Sequence, residues 1–365
     1  MAKRPGRGPE KVPTVRDVAR EAGVSAMTVS NVINGRVGKV SKATIERVRA
    51  AMANQGFVLN APASALSSDR SKIIALVYPV NLEPLANQHD AAFVGAVERE
   101  VSGGNRHLMI WAAKDATDFA RTAANLRTWR IGGVIFYGTF GSEVDDLHQE
   151  LDVPLVFVDN YSESPDVNRV GANDYRGGFL AACHLFEKGH RSLGFVGPPV
   201  HDPGVVHQRY LGFTDATRNA GERVKIDRYE CDPRFQDGLD LAAALSAKPD
   251  RPTGLFATAD TIAIGLLKGF VRNGIDVPGQ VSLIGFDDIP EASHGLLELT
   301  TIRQDINKKA HVAVETLVRL ITAGPDPRGP VMLEVDLVER DTVGPPPSTL
   351  MVRDAGSGSR VVDGG

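Results

Sequence analysis

Few side chains in this 365-residue chain stand at spacings that suit covalent chemistry. Asp287 and Asp288 are adjacent, with His294 close behind, and such a set can be read as acid and base. No nucleophile motif or metal-ligand spacing accompanies them. There is also no G-x-G-x-x-G opening a helix after a strand, and no G-x-x-x-x-G-K-[ST]. Cys183 and Cys231 lie far apart in no paired pattern, which fits reduced thiols better than a disulfide or a metal site. No cofactor is implied, and an enzyme is the weakest of the readings weighed. The spaced chemistry is non-covalent. In Val12 to Asn34, VPTVRDVAREAGVSAMTVSNVIN, one helical face carries Ala26, Met27, Thr28, Ser30 and Asn31, all short or uncharged. Ala and Met can touch a thymine methyl, and Asn can pair with adenine N6 and N7. Ser25, Thr28 and Asn34 suit phosphate oxygens.

Two short helices must position these groups. Thr14 caps the first, with Asp17 placed to complete a capping box. Val15, Val18 and Ala19 give that helix an apolar face, and Gly23 ends it with a left-handed cap. Ser25 caps the second, whose inward stripe is Val29, Val32 and Ile33. Helix, tight turn, helix is the DNA-binding helix-turn-helix; the plainer alternative is a structural corner. Charge favours the first. Residues 1–60 hold eleven Lys/Arg against four Asp/Glu, and residues 61–365 hold thirty against forty-one. One small basic end on an acidic body calls for a polyanion at that end only. A third helix is predicted over Ser41 to Gln55, capped by Ser41, with Ile45, Val48 and Met52 inward. Lys39 and Lys42 lie near its start, within reach of phosphates, although Lys42 fits a solvated loop equally well.

TVRDVAREAGVSAMTVSNVING, followed by VSKATIERVRAAMANQGF, resembles the headpiece of the lactose/galactose repressor family of bacterial transcription regulators. The D-V-A-x-x-A-G-V-S-x-x-T-V-S-x-V-x-N spacing is long and specific. The resemblance runs to about Gly344, more weakly through the body. It departs at GRVGK, where the family has one residue fewer between Asn34 and Val40. It implies that Asn60 to Ser68, NAPASALSS, is a hinge that folds on DNA and inserts Leu66 into the minor groove. An apolar wedge among small residues can unstack a base step. A flexible linker with a stray leucine is the alternative. The usual Arg or Gln near Ser64 and Ala65 is missing, and Pro62 is uncommon there. The DNA-facing set is thus Thr14, Ser25, Ala26, Met27, Thr28, Ser30, Asn31, Asn34, Lys39 and Leu66.

From Ser71 short apolar runs alternate with amphipathic stretches. The runs are 73–78, 107–112, 133–137, 154–158, 193–197, 253–257 and 281–286. Ala91–Val101, Asp118–Trp129, Tyr175–Lys188, Val206–Ala220 and Thr261–Arg272 read as helices between them. Buried strands alternating with helices imply parallel sheets covered on both faces. The resemblance implies a two-lobed α/β body of the periplasmic-binding-protein type behind a small all-α headpiece. Residues 71–171 would form most of the first lobe and 172–299 most of the second. The chain would then cross back, with Ile306–Ile321 in the first lobe and Val331–Val338 in the second. The expected division is a disordered basic arm over 1–11, a helix-turn-helix DNA-binding domain over 12–59 and a hinge over 60–70. A two-lobed effector-binding and dimerisation domain follows over 71–344, then a flexible tail over 345–365 without leucine heptads. No run of apolar residues reaches membrane-spanning length, and MAKRPGRGPEK lacks the apolar core of a secretory signal.

Ligands of open parallel sheets bind beyond the carboxyl ends of the strands. The resemblance places effector contacts at Arg209 in R-Y-L-G, Asp287 in G-F-D-D, Asp159 after the run at 154–158, and Gln304 in T-I-R-Q-D. The plainer alternatives are a surface arginine paired with Asp215 and a carboxylate capping a turn; Asp288 suits a cap before Pro290. Where the family often has Asn-Asp, this chain has Ala259-Asp260. The aromatic that often stacks on ligand falls at Pro233, with Phe235 as substitute or as core. NLEPLANQHDAAF replaces the usual first-lobe loop; His89 and Asp90 there can offer polar contacts, though a solvated loop is the plainer reading. The expectation is a cytoplasmic bacterial repressor. Its partners would be pseudo-palindromic double-stranded operator DNA, a sugar-like small effector and a second copy of the chain, with no membrane. A solute-binding protein of a sugar transporter is the alternative, but it has no use for the headpiece.

Overall fold

The computed structural model describes residues 13–33, 37–38, 40–57, 72–79, 87–113, 125–126, 128–138, 151–161, 167–200, 204–218, 224–324 and 329–347. Asn34, Lys39, the expected hinge with Leu66, and most of the expected Asp118–Trp129 helix lie outside the described residues. The chain divides into two units, Met1–Lys72 and Ile73–Gly365.

The first unit contains α1 (Val15–Ala22), α2 (Ala26–Ile33) and α3 (Lys42–Asn54). Local chemistry sets their ends. The Thr14 hydroxyl accepts from the Asp17 amide, and the Asp17 carboxylate accepts from the Thr14 amide at 3.0 Å. Gly23 takes φ 64°, where its amide bonds back to Ala19. The Thr28 amide donates to Ser25 Oγ at 3.1 Å, and the Thr44 amide to Ser41 Oγ at 3.2 Å. Val18, Ala19, Ala22, Val29, Val32, Val48 and Ala51 form the buried core, with Ile45 and Met52 packed against it. Gln55 Nε2 donates to the Asp17 carbonyl at 3.2 Å, tying α3 to α1.

The second unit holds two six-stranded sheets. The strands are β1 (Ile73–Pro79), β2 (His107–Ala113), β3 (Gly133–Tyr137), β4 (Leu155–Val158), β5 (Arg169–Ala172), β6 (Ser192–Gly197), β7 (Lys225–Glu230), β8 (Gly254–Ala257), β9 (Ser282–Asp287), β10 (Thr300–Arg303), β11 (Val331–Leu333) and β12 (Asp336–Val338). The first sheet runs β11-β5-β4-β3-β1-β2 and the second β12-β10-β9-β8-β6-β7. All pairings are parallel except β10 with β12. The helices are α4 (Gln88–Gly103), α5 (Asp174–Glu187), α6 (Val205–Arg218), α7 (Phe235–Ser246), α8 (Asp260–Arg272) and α9 (Ile306–Ala323). Both faces of each sheet are buried, so neighbouring residues point into different cores. Ile74 and Leu76 join one cluster, and Ala75 and Val77 the other. This is why the strands read as continuous apolar runs.

One expected placement is corrected. Val331–Val338 does not lie wholly in the second lobe. β11 pairs with β5 in the first sheet, and only β12 reaches the second. The chain therefore changes sheets between Leu333 and Asp336, a switch too short to leave a composition signal. α9 packs on the first sheet, as expected, burying Ala310, Ala313, Val314 and Leu317 with Phe93 and Val97 of α4.

α5 and α6 pack backbone to backbone. A Cβ at Gly178 would overlap the carbonyl of Arg209, and one at Gly212 the carbonyl of Tyr175. This contact sets how close Arg209 on α6 comes to Asp174 on α5. Gly178→Ala must separate the helices, so we expect a loss of about 1–3 kcal/mol, typical of overpacking. Urea unfolding with no change of midpoint would show that the helices are free to shift.

Candidate functional site

α2 presents the groups expected to face DNA. Ser25, Ala26 and Met27 are exposed, Met27 by 72%, while Thr28, Ser30 and Asn31 are half-buried. Val29 and Val32 turn inward and fix which face is left outside. Thr14 is exposed at the first cap.

In the second unit, charged and polar side chains converge at the carboxyl ends of both sheets. Asp159 follows β4, Asp287 ends β9 and Gln304 follows β10. The backbone there is left-handed, with φ 56° at Asp159, 120° at Asp287 and 59° at Asp288. Non-glycine residues adopt such angles only where their surroundings hold them, and they concentrate at ligand sites. Lys309, buried on α9, donates to both Asp159 oxygens at 2.8 and 2.9 Å and to Gln304 Oε1. Gln304 Nε2 donates to Asp287 Oδ1 at 2.7 Å. His89, in the first turn of α4, stands 3.5 Å from the same oxygen. These contacts join the two lobes. Arg209 Nε donates to Asp174 Oδ1 at 2.7 Å, and Nη1 donates to the Thr258 carbonyl. The guanidinium lies over the Phe286 ring at 3.4 Å, and Tyr161 donates its hydroxyl to Asp174 Oδ2.

Burial governs the electrostatics. It lowers His89 to about 3, with Lys309 adding to the effect, so the imidazole is neutral. It raises Asp90 to about 7; the Tyr137 hydroxyl bonded to this carboxyl opposes the rise, and the Asp287 charge adds to it. It raises Asp287 to about 6, against Arg209, Gln304 and Lys309. Burial also penalises the Arg209 cation, but Asp174 and Asp287 more than offset this and hold its pKa up.

Arg209, Asp159, Asp287 and Gln304 are thus brought into one neighbourhood. Arg209 is not a surface residue paired with Asp215, which pairs instead with Arg218. Phe235 stands apart, 43% exposed at the start of α7, and is not core. His89 and Asp90 are not in a solvated loop; they are buried at the start of α4, where Asn87 caps the helix. Asp288 does not cap the turn before Pro290 but pairs with Arg340 and Arg303. Asp260 holds that turn, accepting from the Ile289 amide at 3.0 Å and the Thr301 hydroxyl at 2.6 Å.

The sequence reading missed Lys309, Asp174, Tyr137 and Tyr161. A signal existed for Lys309, which sits on the apolar stripe of its helix with Ala313, Thr316 and Leu317. A lysine on such a stripe needs a buried partner. Asp174 follows β5, a strand the pattern did not reveal.

A helix-turn-helix with an open uncharged face, ahead of a two-lobed body with a polar cluster across its lobes, defines a ligand-responsive DNA-binding regulator. The comparisons agree. The model of bacterial regulatory proteins of the lacI family matches residues 14–60, and that of a periplasmic binding protein-like domain matches residues 182–343. The HTH-type transcriptional repressor PurR of Photobacterium profundum is 28% identical over 340 residues, which span 90% of this chain and 98% of the relative. The ribose operon repressor of Escherichia coli K12 is 29% identical over 317 residues, spanning 85% and 93%. The structure of the Lac repressor dimer bound to operator and the anti-inducer ONPF matches with a TM-score of 0.82 at 26% identity. That match covers 92% of this chain and 100% of the other. The chain joins a helix-turn-helix domain of the lacI family to a periplasmic binding protein-like domain. It is a DNA-binding transcription regulator and not an enzyme.

The pKa of Asp90 makes stability depend on pH. The folded protein holds the Asp90 proton to about 7, against an ordinary 3.8. Between these values the folded state binds more protons than the unfolded chain, so stability falls as pH rises. Asp90→Asn removes that loss. Its melting temperature relative to wild type should climb from about pH 4 to pH 7 and then level off, by at most about 4 kcal/mol in stability. A constant difference across that range would show that Asp90 ionises freely.

Proposed function

We propose that this regulator acts as a homodimeric repressor on a pseudo-palindromic operator, and that a small polyhydroxylated effector bound at the carboxyl ends of the two sheets controls it. The observation that carries this reading is the buried network from Lys309 through Gln304 to Asp287. It draws groups from both lobes, so a ligand that enters it acts on their arrangement. Arg209 and Asp287 offer donors and acceptors suited to hydroxyls. The relatives lend support. The Lac repressor was solved as a dimer on operator, and the transcriptional regulator CelR was solved with cellobiose, with a TM-score of 0.67 at 27% identity. A protein that acts on bacterial DNA works in the cytoplasm; among the described residues no helix is long and apolar enough to cross a membrane.

On this reading Ala26, Met27 and Asn31 touch base edges. Thr14, Ser25, Thr28, Ser30, Asn34 and Lys39 position the backbone, and Leu66 acts as a minor-groove wedge. Asp159, Arg209, Asp287 and Gln304, with Lys309, line the effector site. Asn31→Ala should cost about 1–3 kcal/mol on the best operator and relax one base position. Fluorescence anisotropy showing equal weakening on every sequence would make Asn31 a backbone contact.

Arg209→Ala strips Asp174 of its cation, and an unpaired buried charge is costly. The test is therefore Arg209→Ala combined with Asp174→Asn. With an inducing effector, this variant should hold operator normally and fail to release it. With a co-repressor, it should fail to hold operator even when effector is added. A normal effector response would remove Arg209 from the site. Light scattering that gave a monomer of full DNA affinity would overturn the dimer.

A further inference from the structure

The cluster holds more buried carboxylates than cations. Asp159 is paired with Lys309, and Asp174 with Arg209. Asp90 and Asp287 are equally buried but receive hydrogen bonds from neutral groups only, the Tyr137 hydroxyl and the Gln304 amide. Each uses one oxygen for this. Among the described residues, no hydrogen bond reaches Oδ2 of either. The neighbouring acids differ. Asp288 has Arg340 and Arg303, and both oxygens of Asp260 accept hydrogen bonds.

An independent observation marks the same spot. His89 Nδ1 is buried without a hydrogen-bond partner and lies 3.5 Å from Asp287 Oδ1. Gln304 Nε2, a donor, faces His89 Nε2 at 3.4 Å. The ring therefore carries its hydrogen on Nδ1, on the side of the Asp287 carboxylate. A buried donor without a hydrogen-bond partner, near two acids that accept from no cationic side chain, leaves room for a ligand's own donor and acceptor. An ammonium group beside a hydroxyl would supply both. The ammonium would donate to the free oxygens of Asp90 and Asp287, and the hydroxyl oxygen would accept from His89. A neutral sugar would leave both acids to find protons. An anion would face four carboxylates while both buried cations, Lys309 and Arg209, are already engaged.

We infer that the effector is an aminated polyol, such as an amino sugar, whose ammonium sits between Asp90 and Asp287 with its neighbouring hydroxyl on His89. This rests on the effector-site reading above and narrows it to one chemical class. The raised pKa values of Asp90 and Asp287 agree: burial lifts both, and the charges of Lys309 and, at Asp287, Arg209 offset it only in part. A cationic ligand would displace the protons they hold when it binds.

The test titrates the full chain with D-glucosamine, D-galactosamine and D-mannosamine, each against its parent D-glucose, D-galactose or D-mannose. Calorimetry is run near pH 6.5 in two buffers of different ionisation enthalpy. At least one amino sugar should bind about tenfold or more tighter than its parent, a charge-assisted gain of about 1.4 kcal/mol. Its binding should release protons, seen as a heat that changes with the buffer. Asp90→Asn, which keeps the acceptor for Tyr137, should cut the advantage to below about threefold, equivalent to about 0.65 kcal/mol. Asp287→Asn should do the same and serves if the first variant does not fold. A parent sugar that bound as tightly as its amine would overturn the cationic class and leave the effector site standing. So would an advantage that survived in both variants. A panel silent in both forms would count against the amine and against the site as an effector pocket for sugars.

Discussion

Lys309 and Arg209 are buried cations, and a buried cation without its partner costs about 3–5 kcal/mol. The arrangement of the body follows from meeting that demand. Lys309 comes from a helix on the first sheet and takes Asp159 from the end of a strand of the same sheet. Its remaining hydrogen bond goes to Gln304, which stands on the crossover from the second sheet. Gln304 in turn holds Asp287 at the end of β9. One ammonium therefore orders a chain of polar groups that starts in one lobe and finishes in the other. Arg209 does the equivalent within the second lobe, tying α5, α6 and the end of β8 through Asp174 and Thr258. The glycines between α5 and α6 allow the close approach that this geometry needs.

How much of this the sequence showed depends on the range over which each feature is decided. The headpiece was legible nearly throughout, because caps and stripes are local. Thr14, Asp17, Gly23, Ser25 and Ser41 each act on backbone within a few residues. The central strands were legible because both faces are buried. β7, KIDRYE, was not, since it lies at the sheet edge with the charged Lys225, Arg228 and Glu230 exposed. β5 and β10 were too short and too polar at their ends to stand out. Among site residues, Asp159, Asp287 and Gln304 follow strands and carry recognisable motifs. Lys309 and Asp174 lie on helices, where a charged residue ordinarily means a solvated face. Their partners, Asp159 and Arg209, come from distant parts of the chain, and only the packed fold shows that they meet.

The cluster also limits how control can work. A ligand shifts an equilibrium only by its difference in affinity between two arrangements. A group held by one lobe alone cannot supply that difference. The contact of His89 with Asp287, and the bond of Gln304 to the same carboxylate, exist only while the lobes hold their present relation. Any ligand that replaces them alters the free energy of that relation directly. Coupling of this kind is typically about 1–3 kcal/mol and is reciprocal, so DNA must change effector affinity by the same factor as effector changes DNA affinity.

Protonation belongs to the same account. Asp90 and Asp287 lie on opposite sides of the junction between lobes, each raised toward neutrality by burial, and the Asp287 charge raises Asp90 further. When both are ionised they repel across that junction. When one holds a proton the repulsion disappears, at the cost of an acid that is neutral only below about pH 7. A fixed positive charge between them would remove this dependence, because it stabilises both ionised forms together. Without such a charge the pair stays sensitive to pH through the range set by these two acids. The two carboxylates that repel across the junction when ionised are the groups a fixed cation would stabilise together.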